Sequence, residues 1–413
     1  MSMTERDRRR NIVDHLRAGE TQSAADELAG SLESYPGDGL LHHAIGLAFA
    51  SKGTLAAARE HLEAAAQLAP DSAPILADLA QVRLARGKAE EAVESAERAL
   101  EIDPSLAISH FTLGRACLAM ESARQSRHPG APPAGFDFPL LDGRTALYLR
   151  ALNEMEIALD ASPPFIVAVR AALAFAYTRA GHYHAALEQL RAELVEMLSQ
   201  AGRPSGEEAD RVADRIRSLE HEIAREDYWS AVAEDGLSAI AGDRREGAEA
   251  LLRAAHARAV SGDETDLVEA IQRARAAGYQ PRQALVERYE SEDAIFQQLS
   301  DVHALIAGGL ECVHEGVLRF LPFSQLESVT FGAPAYWRAA RVNMSSGDAL
   351  DLVVPSLYRL ALRSTNDLIQ SGRFTQFKYA PGETRYARAI GTRNFSTEEG
   401  IIPFADVKAI RFI

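Results

Sequence analysis

Cysteine and long apolar runs are both scarce in this chain. Its 413 residues include two cysteines, Cys117 and Cys312, which are too few for a disulfide framework. We therefore expect both as free thiols in a reducing compartment, the cytoplasm. No apolar stretch approaches the roughly 18 residues of a membrane span, and no apolar segment follows the polar residues 1–10. The sequence thus predicts neither membrane insertion nor secretion.

Positive charge is also in short supply. Lysine and arginine number 44 against 59 aspartates and glutamates, which gives a net charge of -15. The deficit lies before residue 311, because the residues from 311 onward hold 12 basic and 10 acidic side chains. An acidic surface repels nucleic-acid phosphates, so we expect no nucleic-acid partner. The same charge suits a basic or amphipathic protein segment, or it serves solubility alone.

Signatures of catalysis are missing as well. The sequence has no G-x-x-x-x-G-K-[ST], no G-x-G-x-x-G after a strand, no H-E-x-x-H and no G-x-S-x-G. Three pairs of candidate metal ligands occur, each without the further ligands that a structural zinc needs: His42 with His43, His182 with His184, and Cys312 with His314. We expect no enzyme, no metal site and no cofactor.

What the chain does contain is a 34-residue period. Pro70 and Pro104 lie 34 residues apart, and each follows the same grid of small residues. Glycine or alanine recurs at repeat positions 8, 15, 20 and 27: Gly46, Gly53, Ala58 and Ala65, then Ala80, Gly87, Ala92 and Ala99. Small residues let the two helices of a pair approach closely, and the glycine at position 15 turns the chain between them. The proline then ends the second helix. The pattern resembles the tetratricopeptide repeat.

The repeats extend in both directions. A first repeat covers roughly residues 5–38, and a later one begins at Gly114, is interrupted by 25 residues, and resumes at Ala151. The interruption, about residues 122–146, contains the Pro- and Gly-rich stretch from Arg127 to Gly135, which predicts an exposed loop. This loop is either a tolerated insertion or a site where a partner binds. One more repeat follows, and residues 1–200 form the predicted repeat region.

Residues 201–305 are predicted to continue as degenerate helical repeats. Glu208 to Ser230 is a charged helix with a narrow apolar stripe that includes Val212 and Leu219. Two alanine-rich helices are predicted within residues 237–277. A last helix is predicted from Ala284 to Leu299.

Near residue 306 the sequence becomes rich in aromatic and β-branched residues, and apolar residues alternate with polar ones. This pattern predicts a β-rich domain over residues 306–413. A hairpin turn is predicted at Ser345 to Asp348. The predicted strands are Val317–Phe323, Leu326–Phe331, Trp337–Met344, Leu350–Val354, Arg373–Tyr379, Tyr386–Gly391 and Val407–Ile413. The predicted fold is therefore mainly α with a β C-terminal domain: a tetratricopeptide-like α-solenoid followed by a small antiparallel β barrel or sandwich.

Three segments of this domain resemble one family. Leu321 to Val329, Tyr336 to Val342 and Val353 to Tyr358 are similar to the PF-x-x-[IL]-x-x-[ILV], W-R-x-A-R-[VL] and V-x-[VL]-P-[AS]-[LR]-Y segments of the ImpE/TagJ family. Asn366 to Arg373 stands where that family has an Asp followed by L-x-x-G-R. These are accessory proteins of the bacterial type VI secretion system. The resemblance implies a non-enzymatic adaptor that binds a helix of the small sheath subunit.

Candidate partner-binding residues follow from both regions. In tetratricopeptide repeats the first helices line the concave face, and the polar positions there are predicted to be His42, Lys52, Gln81, Arg83, Arg86, His110 and Arg179. In the β domain, Trp337 and Arg338 form an aromatic and cationic pair typical of interface hot spots, or Trp337 is a core packing residue.

Three hypotheses about function remain at this stage, and the third, an enzyme of unknown type, has no supporting constellation of residues. The first is a type VI secretion accessory protein that binds a sheath component through an amphipathic helix. The alternative is a general tetratricopeptide-repeat scaffold or co-chaperone unrelated to secretion. The sequence leaves open the partner's identity, the role of the insertion and the oligomeric state.

Overall fold

The computed structural model describes residues 37–127, 145–199, 206–235, 281–289, 291–301, 308–358, 375–379, 387–391 and 393–413. These residues fall into two compact units. The first takes in the described residues that lie within 1–124 and 142–176, and the second takes in those that lie within 125–141 and 177–413. Within the described ranges, no helix combines the length and apolar character that a membrane crossing requires.

Nine α-helices lie in the first part of the described chain. They are α1 (Gly39–Ser51), α2 (Leu55–Leu68), α3 (Ala73–Ala85), α4 (Ala89–Ile102), α5 (Ala107–Arg127), α6 (Ala146–Asp160), α7 (Ile166–Ala180), α8 (Tyr183–Ser199) and α9 (Gly206–Asp235). The predicted helix pairs between residues 39 and 200 are confirmed. The predicted first repeat, residues 128–135 of the predicted loop and the two helices predicted within residues 237–277 lie outside the described residues.

Small side chains bring the paired helices together, as the period predicts. A Cβ atom on Gly46 would lie 2.6 Å from Cγ of Leu62, and one on Gly114 would lie 2.7 Å from the carbonyl oxygen of Ala151. The alanines at repeat positions 20 and 27 are fully buried: Ala58, Ala65, Ala92 and Ala99. A larger residue at these positions would force the helices apart.

The turn glycines adopt the backbone conformation that their repeat position requires. Gly53, Gly87 and Gly181 have φ of 75°, 74° and 84°, and each stands between the two helices of a pair. This left-handed region strains residues that carry a Cβ, which explains glycine at position 15.

Twelve strands follow the helices in the part of the chain that the structure describes. They are β1 (Arg282–Arg288), β2 (Ala294–Asp301), β3 (Gly309–His314), β4 (Val317–Pro322), β5 (Leu326–Phe331), β6 (Trp337–Met344), β7 (Ala349–Pro355), β8 (Thr375–Tyr379), β9 (Ala387–Gly391), β10 (Asn394–Thr397), β11 (Gly400–Pro403) and β12 (Val407–Phe412). Ten of them form one antiparallel sheet in the order β11-β10-β2-β1-β12-β5-β6-β7-β3-β4, and β8 pairs with β9. Short 3₁₀ turns at Phe323–Gln325 and Phe404–Asp406 connect β4 to β5 and β11 to β12.

The helix predicted from Ala284 to Leu299 is wrong, because this segment forms β1 and β2. Its alanine, leucine and glutamate residues are good helix formers, but pairing with β12 overrides that local preference. Ala284 and Val286 alternate inward on β1, which is strand periodicity. The sheet therefore starts upstream of residue 306. The seven strands and the hairpin turn predicted further along the chain are confirmed to within about two residues at each end.

One core fills the inner face of the sheet. Inward residues from all ten strands contribute, including Leu321 on β4 and Ile402 on β11, which are the two edge strands. The sheet must curl for edge residues to share one core. The small antiparallel barrel or sandwich of the sequence analysis stays a prediction.

The β domain consists of two copies of one five-strand unit. The first copy is β1 to β5, and the second is β6, β7, β10, β11 and β12. Each begins with the pattern R-x-A-x-V, at Arg282–Val286 and Arg338–Val342. Each ends with P-F-x-x-[LV]-x-x-[IV]-x-F, at Pro322–Phe331 and Pro403–Phe412. The β domain therefore contains an internal repeat of this unit.

The two copies exchange strands about a pseudo-two-fold axis. In the sheet, β1 and β2 of the first copy lie beside β12 and β10 of the second, while β6 and β7 of the second lie beside β5 and β3 of the first. At the centre, Val329 of β5 pairs with Ile410 of β12, and these two residues hold the same position in their copies. The copies are therefore intertwined and cannot separate without breaking the sheet.

Candidate partner-binding sites

Three of the predicted polar residues hold helices of the repeats together. Arg83 of α3 donates to Ser95 Oγ of α4 at 2.8 Å and to Glu63 of α2 at 3.2 Å. His110 Nδ1 of α5 lies 2.7 Å from Glu154 of α6.

The third, His42, lies with its Nδ1 3.2 Å from Nδ1 of His61 on α2. Burial and the neighbouring His42 lower the pKa of His61, which favours the neutral form of the His61 ring. These side chains bridge neighbouring helices and leave little of themselves for a partner.

The other four predicted repeat residues differ in exposure. Gln81 is half-buried and donates to Asp78 at 3.2 Å. Lys52 and Arg86 are half-buried at the C-terminal caps of α1 and α3. Arg179 is buried in the second unit. A partner-binding role for these residues stays a prediction.

One repeat position forms a face that the sequence analysis did not single out. Leu47, Gln81 and Phe175 each stand six residues before the turn glycine of their repeat, and Arg115 stands 34 residues after Gln81. These four side chains therefore occupy the same position on the first helices α1, α3, α5 and α7. Leu47 is 40% exposed and Phe175 is 47% exposed. We call this set the position-9 face.

Cation and aromatic groups meet in the middle of the position-9 face. The guanidinium of Arg115 lies 5.4 Å from the ring centroid of the buried Phe111, and Phe111 stacks on Phe165 at 5.7 Å. Arg115 itself is exposed. Along the position-9 face, the apolar side chains come first and last, and the amide of Gln81 and the guanidinium of Arg115 lie between them. This arrangement suits an amphipathic helix with an acidic side chain.

In the β domain, Arg338 is fully buried and serves the fold. Its guanidinium donates to the carbonyl oxygens of Phe404 at 2.7 Å, Val407 at 2.9 Å and Gly332 at 2.9 Å. It also stacks over Phe404 and Phe331, at 4.6 and 5.1 Å from their ring centroids. Arg338 therefore clamps the 3₁₀ turn of the second copy.

Arg282 is the equivalent clamp of the first copy. It donates to the carbonyl oxygens of Phe323 at 2.8 Å and Leu326 at 2.9 Å, the counterparts of Phe404 and Val407. Its guanidinium lies 5.2 Å from the ring centroid of Phe412. The R-x-A-x-V pattern is thus explained by the turn that its arginine holds.

Trp337 lies on the other face of the sheet from the main core, against α9. It packs with Val313 and Leu318 of the sheet, and its ring lies 5.2 Å from that of His221 and 5.9 Å from the guanidinium of Arg225. Its indole N–H has no acceptor among the described residues. Trp337 is a packing residue at a helix–sheet contact.

A buried ion pair joins α9 to the sheet. Arg225 is 1% exposed and donates to both carboxylate oxygens of Glu311 on β3, at 2.7 and 2.8 Å. Glu222, one turn earlier, lies 3.6 Å from the same guanidinium and accepts from the Tyr336 hydroxyl at 3.2 Å. Burial opposes the charged guanidinium, but Glu311 and Glu222 outweigh it and raise the pKa of Arg225. The apolar stripe predicted for this helix thus misses its buried charges.

A second buried pair continues this network. Arg393 donates to Asp301 at 2.5 Å and to the carbonyl oxygen of Glu311 at 3.3 Å. The Tyr358 hydroxyl donates to Asp301 at 3.1 Å. Tyr358 is the last residue of the third segment that resembles the family. Its hydroxyl helps to hold this ion pair in place. Buried charges that are paired and hydrogen-bonded add little net stability, because their desolvation offsets much of their mutual attraction.

Comparison with known proteins identifies both regions. Residues 293–411 match the family model described as ImpE protein, and residues 49–108 match a model of the tetratricopeptide repeat. No curated protein matches the chain.

Three similar structures are protein VPA1032 from Vibrio parahaemolyticus, MamA from Desulfovibrio magneticus RS-1 and PilW, a type IV pilus biogenesis factor. They are 18%, 18% and 16% identical to the chain, with TM-scores of 0.46, 0.38 and 0.40. The alignments cover 64%, 49% and 57% of this chain and 93%, 100% and 95% of the other chains. By the two family models, this chain carries an ImpE domain at residues 293–411, preceded by a tetratricopeptide-repeat region.

Proposed function

We propose that the chain is a non-enzymatic adaptor of the bacterial type VI secretion system that works in the cytoplasm. The observation that carries this proposal is the ImpE match at residues 293–411, which follows the tetratricopeptide-repeat match at residues 49–108. Tetratricopeptide repeats are protein-binding modules, so the helices supply the partner site and the β domain supplies the family-specific part.

The partner is an amphipathic helix of a sheath component, and the position-9 face receives it. Leu47 and Phe175 give exposed apolar contacts, while Arg115 favours an acidic side chain on the partner helix. Apolar side chains on such a face supply most of the binding free energy, and the cation fixes orientation.

Binding of the purified small sheath subunit to the full chain tests this proposal. We expect the double substitution Leu47→Ser with Phe175→Ser to weaken binding by at least about tenfold, since it removes two apolar contacts. The matched control is Leu149→Ser with Ile157→Ser, because those side chains on α6 are similarly exposed. We expect that control to bind like the unsubstituted chain.

The outcomes separate the function from the site. If the unsubstituted chain does not bind the sheath subunit, the secretion role is wrong and a general tetratricopeptide scaffold replaces it. If it binds but the position-9 face substitutions have no effect, the role stands and the face is wrong.

A further inference from the structure

Two histidines of the helix pair α1 and α2 face each other through the same ring nitrogen. His42 of α1 and His61 of α2 place their Nδ1 atoms 3.2 Å apart, and their ring centroids lie 5.4 Å apart. Phe49 stacks on the His61 ring with 5.6 Å between the centroids and 16° between the planes, which restricts rotation of that ring. Both histidines are half-buried. The two nitrogens are therefore held close together by side chains of two packed helices.

The separation of these nitrogens fits a shared metal ion. A tetrahedral ion with metal–nitrogen bonds of about 2.0–2.1 Å holds two nitrogen ligands about 3.3 Å apart. Imidazole suits Zn²⁺, Cu²⁺ and Ni²⁺, and it binds them in its neutral form. Burial and the neighbouring His42 lower the pKa of His61, which favours that form. Without an ion, one Nδ1–H donates to the other Nδ1. To bind an ion, the donor ring moves its proton from Nδ1 to Nε2.

The adjacent histidine does not join this pair. Nε2 of His43 lies 2.7 Å from Oδ2 of Asp78 on α3, because successive residues of a helix point about 100° apart. The sequence pairs His42 with His43, whereas the structure pairs His42 with His61. Within the described ranges, no group of three or more His, Cys, Asp and Glu side chains could hold a metal ion. An ion at His42 and His61 therefore has two protein ligands and leaves its other positions to water.

We propose that His42 and His61 form a two-histidine site for Zn²⁺ that joins α1 to α2. The ion replaces one hydrogen bond between the rings by two metal–nitrogen bonds, one to each helix. Because the two nitrogens come together only when the helices pack, zinc binds the folded pair and stabilises it. Neither the proposed sheath partner nor the position-9 face enters this inference.

Calorimetric titration of the full chain with Zn²⁺ at about pH 7.5, above the ordinary histidine pKa, tests the site. The informative variants are His42→Asn and His61→Asn. Asparagine keeps a polar atom near the place of Nδ1 and has a helix propensity similar to that of histidine, so the helix pair should remain. We expect either variant to bind zinc at least about tenfold more weakly, because the second bond of a chelate forms within one molecule. His43→Asn is the matched control on the same helix and should bind like the unsubstituted chain.

Thermal unfolding of the same four chains separates loss of the site from loss of the fold. Zinc should raise the unfolding temperature of the unsubstituted chain and of His43→Asn, and should leave that of His42→Asn and His61→Asn unchanged. Unfolding without zinc shows which variants fold, and either pair variant that folds decides the question. Three results overturn the proposal: no zinc binding by the unsubstituted chain, undiminished binding by a folded pair variant, or an equal loss of binding in His43→Asn.

Discussion

Replacing Arg338 by methionine tests whether the buried clamp stabilises the β domain. Methionine keeps the length and apolar stem of arginine but removes the donors to Phe404, Val407 and Gly332. Each hydrogen bond from a charged donor contributes about 1.5–3 kcal/mol. Burying the guanidinium costs several kcal/mol, and methionine removes that cost too. We expect a net loss of about 3 kcal/mol in the free energy of unfolding.

The matched substitution is Arg282→Met in the other copy. Arg282 is half-buried and makes two short bonds to the equivalent carbonyl oxygens. In the variant, water can donate hydrogen bonds to some of the carbonyl oxygens that lose this arginine. We therefore expect a loss of about 1.5 kcal/mol in the free energy of unfolding. Arg338→Lys keeps the charge but cannot reach three carbonyls from one ammonium, and should fall between the two methionine variants.

Urea unfolding measures these differences through the fluorescence of Trp337, with Trp229 replaced by phenylalanine. The reasoning is refuted if Arg338→Met unfolds within about 1 kcal/mol of the parent chain, or if Arg282→Met costs more than Arg338→Met.

Two further predictions concern the helices and the thiols. Gly114→Ala should lower the stability to thermal unfolding more than Gly53→Ala does. The new Cβ at position 114 would lie 2.7 Å from a backbone oxygen, whereas the one at position 53 meets no atom and adds only about 1 kcal/mol of backbone strain. Equal losses of stability would contradict this. Burial raises the pKa of Cys312 to about 12, so a thiol reagent at pH 8 should modify it, and the buried Cys117, only after unfolding; rapid labelling of the native chain would count against their burial.

The sequence predicted the repeat helices well because their signals are local. Glycine at positions 8 and 15 and proline at position 32 act within one helix pair, so their physical reasons can be read without knowledge of the rest. Strands β5 to β7 were predicted to within one residue of their observed ends, since alternation and turn residues define them locally.

The misses share a cause, which is dependence on distant chain segments. The segment around Ala284 has helical propensity and becomes a strand only through pairing with β12, more than 100 residues later. Arg225 looks like one charge of a solvated helix until Glu311 is placed beside it. The duplication was readable from the sequence, since Pro322–Phe331 and Pro403–Phe412 match, but a search confined to 34-residue periods passes over it.

The differences between the two copies of the β domain indicate which part of it holds α9. Both copies keep the arginine clamp and the P-F turn, so these features serve the unit itself. Glu311 pairs with Phe320, two residues before Pro322, and the residue at that place in the other copy is Ser396, which pairs with Ile401. Trp337 precedes its clamp arginine, and Pro281 holds that place in the other copy.

Two residues that distinguish the copies, Glu311 and Trp337, thus both contact Arg225. Two intertwined units of equal sequence would present two equivalent outer faces. Because the two copies differ at these positions, only one of the two faces has the residues that contact the charged helix α9. The docking of α9 therefore depends on the asymmetry between the copies and not on the shared fold. Exchanging Glu311 for serine should accordingly release α9, seen as faster exchange of the Trp337 indole N–H, while both arginine clamps and the core stay intact.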